Sequence, residues 1–161
     1  MRHKRNSKTV MAVFQYDNKM LPYEVAFAPF SHDLLLLQGA RFNADFWKPL
    51  LEDLKEEPAA GGRIVRCDSA ITSPEFLKRF MGTLGLHSVH VVAIGDAAEL
   101  VKDLEKSDPG FFSRVLLLTQ GASLRGAELE QQVREFCGLY LFQVLPKTIH
   151  FSSRRWAQRF R

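Results

Sequence analysis

The chain has 161 residues, of which 46% are hydrophobic and 25% charged, the proportions of an ordinary globular domain rather than a disordered or collagen-like chain. One domain of this size buries about 70% of its unfolded surface, and no apolar run approaches the ~18 residues that a membrane-spanning helix needs. The net charge of +4 is uneven: segments 1–8 and 150–161 each carry four Lys or Arg and no acid, which leaves 14 basic against 18 acidic residues between them.

An acidic body with two basic ends lacks the basic face of a nucleic-acid-binding domain, so no nucleic-acid partner is expected. The basic N-terminal run is not followed by an apolar h-region, so it does not read as a secretory signal. Cys67 and Cys137 stand alone, without a CxxC or a His cluster, so neither a disulfide framework nor a metal site is indicated. There is no GxGxxG and no GxxxxGK[ST], and no cofactor is expected.

Thr9–Tyr16 (TVMAVFQY) is β-branched and aromatic and reads as a strand. Asp17-Asn18 is a turn signal, because both residue types tolerate left-handed geometry. Leu21–Ala28 is then the returning strand of a hairpin. Asp33–Leu37 (DLLLL) is short and continuously apolar, as suits a strand buried on both faces. Ala44–Lys55 carries Phe46, Trp47, Leu50, Leu51 and Leu54 at helical spacing behind Asn43 as N-cap.

Arg63–Cys67 is another strand, and Ser73-Pro74-Glu75 opens a helix that Gly85 ends. Val89–Ile94 is a strand, Gly95-Asp96 a tight turn, Ala97–Leu104 a helix, and Arg114–Thr119 a strand. Strands alternating with helices predict a parallel sheet covered on both sides. From Leu129 to Val144 apolar residues recur every three or four positions, which predicts one long helix ending before Pro146. The expected organisation is a basic tail (1–8), an α/β core (9–124) and a helical extension with a basic end (125–161).

The order of elements resembles the α/β-hydrolase superfamily, of the lipase, esterase and haloperoxidase type, over roughly residues 9–120. DNKMLPYEVAFAPFSHDLLLLQGARFNADFWKPLLEDL resembles that family's hairpin, buried strand, His-Gly turn and first helix. GGRIVRCD resembles the next strand, LGLHSVHVVAIGDAAEL the nucleophile elbow, and SDPGFFSRVLLLTQ the strand after it. The resemblance implies a three-layer, mostly parallel sheet of about six strands with an N-terminal hairpin, shortened and followed by C-terminal helices.

The family's elbow pattern is small-x-nucleophile-x-small, on a sharp turn between strand and helix. Laid on without gaps it falls on Ala93-Ile94-Gly95-Asp96-Ala97, so Gly95 stands at the nucleophile position and has no side chain to attack with. A one-residue slip makes Asp96 the nucleophile but puts Ile94 where a small residue belongs. Asp96 is otherwise a cap for the following helix. The oxyanion-hole turn, His-Gly in the family, is here Gln38-Gly39.

The resemblance also implies an acid and then a His after the last strand. Residues 120–123 contain no carboxylate, and His150 is the one histidine beyond the elbow. The expected function is therefore a non-catalytic binding or structural subunit of a larger assembly, cytoplasmic or held at the membrane face through a complex. A degenerate or split hydrolase is the first alternative, and a peripheral membrane protein held by its basic ends the second. The expected contact surface, for a protein partner or a second copy, is residues 115–160: Val115 and Leu117 on an uncharged strand, Tyr140, Leu141 and Val144 on the long helix, and Arg154, Arg155, Trp156 and Phe160 in the tail. Asp68, after the strand RIVRC, is expected to accept from its own turn.

Overall fold

A computed structural model describes residues 9–118 and 126–139. Among them a six-stranded sheet runs in the order β1-β2-β4-β3-β5-β6. The strands are β1 (Val10–Tyr16), β2 (Lys19–Phe27), β3 (Leu34–Gln38), β4 (Arg63–Cys67), β5 (His90–Ile94) and β6 (Arg114–Leu118). The hairpin β1–β2 joins antiparallel to β4, and β4, β3, β5 and β6 are mutually parallel. This is the arrangement the alternation of strands and helices predicts. β3 lies in the middle, and all five of its residues are buried, which is why Leu34–Leu37 show no polar alternation.

Two apolar layers sandwich the sheet. On one face α2 (Pro74–Leu84) and α3 (Asp96–Ser107) pack Phe76, Leu77, Phe80, Val101 and Leu104 against Leu35, Leu37, Val65 and Val91. On the other, α1 (Lys48–Lys55) and α4 (Gly126–Phe136) pack Leu51, Leu54, Leu129 and Val133 against Leu34, Leu36, Ile64 and Val92. Successive residues of a strand point to opposite faces, so each strand serves both layers.

Helix starts obey local chemistry. The Ser73 hydroxyl accepts from the Phe76 N–H, Pro74 takes the first turn, and Gly85 closes α2 in the left-handed region. Asn43 caps as expected but opens a 3-10 turn, Ala44–Trp47, before α1 begins at Lys48. The long C-terminal helix does not form as one piece. α4 ends at Phe136 and Gly138 takes φ 78, a left-handed C-terminal stop that apolar periodicity alone did not reveal. Tyr140, Leu141, Val144, Arg154, Arg155, Trp156 and Phe160 lie outside the described residues.

A charged network is buried beneath the hairpin. Arg66 Nε donates to Glu24 Oε2 at 2.8 Å, and Lys55 Nζ to Glu24 Oε1 at 2.7 Å. Arg66 Nη1 also donates to the Asp68 carboxylate at 3.0 Å and to the Ala44 carbonyl at 2.9 Å. The Asp68 carboxylate thus serves Arg66 and accepts no hydrogen bond from the turn that follows it, where it was expected to act. Burial alone pushes the Glu24 carboxyl up; the hydrogen bonds and charges of Lys55 and Arg66 outweigh it and hold the group below its ordinary value.

Candidate functional site

Gly95 follows β5 and precedes α3 with φ 70 and ψ −137. A side chain is strained there, and a sharp strand-to-helix turn of this kind is what an elbow needs. Asp96 is already the first helical residue, so the apex of the turn is Gly95 and the one-residue slip to Asp96 does not match the backbone. Nor does the Asp96 side chain cap α3: Gly95 occupies the N-cap position, and no side-chain hydrogen bond is made there. Ala93 and Ala97 are buried on either side, so small residues let strand and helix close together.

The turn after β3 lies against this elbow. Gly39 N–H donates to the Ile94 carbonyl at 2.8 Å. A Cβ built on Gly39 would stand 2.6 Å from the Asp96 backbone nitrogen, so only glycine permits this approach. Gln38 contributes in a way that the sequence does not announce. Its buried side-chain amide donates to the Cys67 carbonyl at 2.8 Å, and its oxygen accepts from Trp47 Nε1 at 3.1 Å. Gln38 is a cross-strand brace, with its polar atoms turned away from any ligand.

Phe42 is the residue that sequence reasoning missed. Its N–H donates to the Gly39 carbonyl at 3.0 Å, which folds the turn back on itself. Its ring then stands where a side chain on Gly95 would go: a Cβ there would meet Phe42 Cε2 at 2.6 Å and Cδ2 at 3.2 Å. Phe42 packs edge-on to Phe46, and Phe46 edge-on to Trp47, at centroid distances of 5.2 and 4.8 Å. An aromatic row therefore runs from the elbow to the Gln38 brace. The only signal in the sequence is FNADFW, whose aromatic spacing reads equally well as core.

Beside the elbow is a cleft of about 240 Å³, lined by Gly39, Ala40, Ile71, Thr72, Asp96 and Leu100 among others. Glu99 and Asp103 also border it, so its charged groups are acidic. No group of three or more His, Cys, Asp or Glu suited to a metal occurs among the described residues. Neither cysteine is a ready nucleophile, since burial pushes the thiols of Cys67 and Cys137 up to about 12.

Two described histidines lie at the wrong edge for the elbow. His90 begins β5 and His32 precedes β3, whereas Gly95 and Gly39 follow the other ends of those strands. A five-residue strand spans roughly 17 Å. The two imidazoles stack at 3.8 Å between Phe30, stacked on His32 at 4.3 Å, and Phe136, edge-on to His90 at 5.5 Å. Their His32 Nε2 and His90 Nδ1 atoms are buried without hydrogen-bond partners.

Burial, and then Arg114, hold His32 below its ordinary value; burial, His32 and Arg114 push His90 down to about 4. Both imidazoles thus resist protonation in the fold, whereas a histidine of the unfolded chain takes up its proton around pH 6.5. Stability from this pair is present above 6.5 and is lost progressively as pH falls toward 4. Urea midpoints of the wild type should fall between pH 7 and pH 5, and those of His90→Phe should fall less. Parallel pH slopes in the two proteins would show that the pair does not carry the effect.

Among the described residues no helix is long and apolar enough to cross a membrane. No protein-family model matches the chain, and no curated protein matches it. Solved structures do. Cfl2 from Burkholderia cenocepacia aligns with a TM-score of 0.58 at 16% identity, covering 95% of this chain and 58% of that one. Carboxylesterase CesB from Bacillus subtilis aligns at 0.54 and 13%, covering 70% and 44%. An α/β-hydrolase enzyme from a Medee basin deep-sea metagenome library aligns at 0.52 and 19%, covering 66% and 43%. The chain spans between about two fifths and three fifths of the length of these structures. Together with the six-stranded, mostly parallel sheet, these alignments show that the chain has the α/β-hydrolase fold.

Proposed function

We propose that this chain is a non-catalytic α/β-hydrolase-like protein that works as a binding or structural subunit of a larger assembly. The observation that carries the reading is the pair Gly95 and Phe42. The turn keeps an elbow's backbone, carries no nucleophile, and fills with a phenyl ring the space a nucleophile would need. A catalytic elbow exposes its side chain to substrate, and this one is closed by an aromatic row anchored in the core.

The contact surface centres on β6. Among the described residues β6 pairs with β5 alone, and its apolar run RVLLL has no charge beyond Arg114 to discourage pairing with another chain. α4 does not itself form this surface, because Leu129, Val133 and Phe136 are buried against the sheet with Leu116 and Leu118. Val115 and Leu117, half-buried where they pack against the α2 and α3 layer, are the described residues of this surface; Trp156 and Phe160, also assigned to it, lie outside the described residues.

The test has two arms. Ester, haloalkane and epoxide probes should give no turnover with the purified chain, and Gly95→Ser should create none. Turnover abolished by Asp96→Asn would overturn the reading. Val115→Lys or Trp156→Ala, with unchanged melting, should release a protein that co-purifies with the chain from its native source. Retention of that protein by both variants would remove β6 and the tail as the surface.

A further inference from the structure

At the end of the sheet away from the elbow, the fold builds a stack of four rings. Side chains alternate along a strand, so His90 shares a face with Val92 and Ile94 of β5, and Arg114 shares it with Leu116 and Leu118 of β6. This is the face that α1 and α4 cover. There Phe30, His32, His90 and Phe136 follow one another at centroid distances of 4.3, 3.8 and 5.5 Å. Phe136 is the last residue of α4, so the stack fastens the end of that helix to the sheet. Arg114 clamps the same point. Its guanidinium lies over the Phe136 ring at 5.0 Å, and Nη1 donates to the Phe136 carbonyl at 2.9 Å, where a cation suits a helix C-terminus.

The stack is built for neutral imidazoles. An imidazolium needs an acceptor for each of its two N–H groups, and His32 Nε2 and His90 Nδ1 are buried with none. The charge that faces both rings is positive: Arg114, from β6. Asp33 adjoins His32, but its carboxylate already accepts from the Arg63 backbone N–H, Nε and Nη2. His87, in the loop before β5, is exposed. On α4, Glu135 makes no ion pair with Arg114 or either imidazole among the described residues. The Cys137 thiol is uncharged, since burial pushes it up to about 12. A proton taken up by the pair therefore sets an imidazolium against Arg114, and the repulsion bears on the guanidinium that clamps Phe136.

The preceding turn of α4 is fastened differently. Arg134 donates through Nε to Glu130 at 2.9 Å and through Nη1 to Glu57. Burial and the neighbouring Asp53 of α1 raise the Glu130 carboxyl, against the pull of Arg134. The two fastenings answer acid with opposite sign. Histidines held low favour the docked helix above about pH 6.5 and lose that effect as pH falls, whereas a carboxyl held high favours docking more as pH falls.

We propose that the ring stack is an acid-released latch: a proton taken up by the His32–His90 pair frees Phe136 and the C-terminal turn of α4 from the sheet, while Glu130 and Arg134 keep the rest of the helix on α1. Release uncovers the apolar surface around His90 and the start of β6, together with the Cys137 thiol. It does not depend on β6 taking a partner.

The two cysteines read the latch and the core separately. Cys137 follows Phe136 directly, whereas Cys67 lies in β4, and both are buried. The full chain is labelled with 4,4′-dithiodipyridine, and each rate is divided by that of free N-acetylcysteine at the same pH. Between pH 7 and pH 5 the relative rate should rise roughly 20-fold at Cys137, as follows from His90 docked at about 4 and released at about 6.5. The rate at Cys67 should not change. In His90→Phe, which keeps a stacked ring and cannot titrate, the rise at Cys137 should be much smaller. Arg114→Gln keeps a donor for the Phe136 carbonyl without the charge, and should also reduce it. A Cys137 rate independent of pH in the wild type, a rise shared by Cys67, or an undiminished rise in either variant overturns the proposal.

Discussion

Replacing Arg66 by alanine is expected to destabilise the protein by about 3 kcal/mol, the lower end for breaking a buried ion pair. In a domain of this size that lowers Tm by roughly 6–12 °C. The reason is the group left behind. Glu24 keeps Lys55 but loses the guanidinium that holds its second oxygen, and the Glu24 side chain is only 10% exposed. Asp68 and the Ala44 carbonyl lose a donor as well, which loosens the segment leading to the aromatic row.

Acid dependence gives the experiment a second readout. Glu24 is held below its ordinary value, so its stabilising contribution is present above pH 4.5 and lost as pH falls through its lower folded value. In Arg66→Ala that window narrows, because one of the two cations holding Glu24 is gone. Urea denaturation at pH 7 and at low pH measures both quantities. A loss below about 1 kcal/mol at pH 7, the range of an exposed pair, would show that the network is not a buried support.

Gly95→Ser is expected to destabilise the protein by about 2–6 kcal/mol. Two effects contribute: a side chain in a sparsely populated backbone region, about 1–3 kcal/mol, and overlap with the Phe42 ring, about 1–3 kcal/mol. They are separable because they have different partners. Phe42→Ala in the Gly95→Ser background should recover the overlap and leave the backbone strain, so a double-mutant cycle should show coupling of about 1–3 kcal/mol. Additive losses from the two substitutions would mean that Phe42 does not occupy the elbow in solution. The double variant also opens the elbow to ester probes, and the closed-site reading requires that it still turns nothing over.

Much of the architecture is legible in the chain because it is written in local chemistry. The apolar run of β3, the Ser73-Pro74 start and Gly85 stop of α2, and the Asp17-Asn18 turn each follow from their own residues. So does the elbow: Ala93, Gly95 and Ala97 are a pattern of small residues at fixed spacing, and Gly39 matches it from another strand. The expected long helix shows where periodicity fails. Leu129, Val133, Phe136, Tyr140 and Val144 continue one apolar stripe, but Gly138 turns left-handed after Phe136, and one glycine outweighs a stripe that only packing could enforce.

The amino-acid sequence by itself determined the order of strands and helices, the place of the sharp turn and the glycine at its apex, because these rest on backbone preference and side-chain identity at single positions. Tertiary structure decided what those residues do. Gln38 became a brace between Cys67 and Trp47, Asp68 a partner of Arg66, and Phe42 the ring that fills the elbow. His32 and His90 became a stacked pair at the far edge. Apart from Asp68 and Arg66, which are two residues apart, none of these pairings is encoded by spacing along the chain, because each joins segments from different strands and loops. Their contacts exist only once the two apolar faces of the sheet are covered and the buried polar groups have found partners.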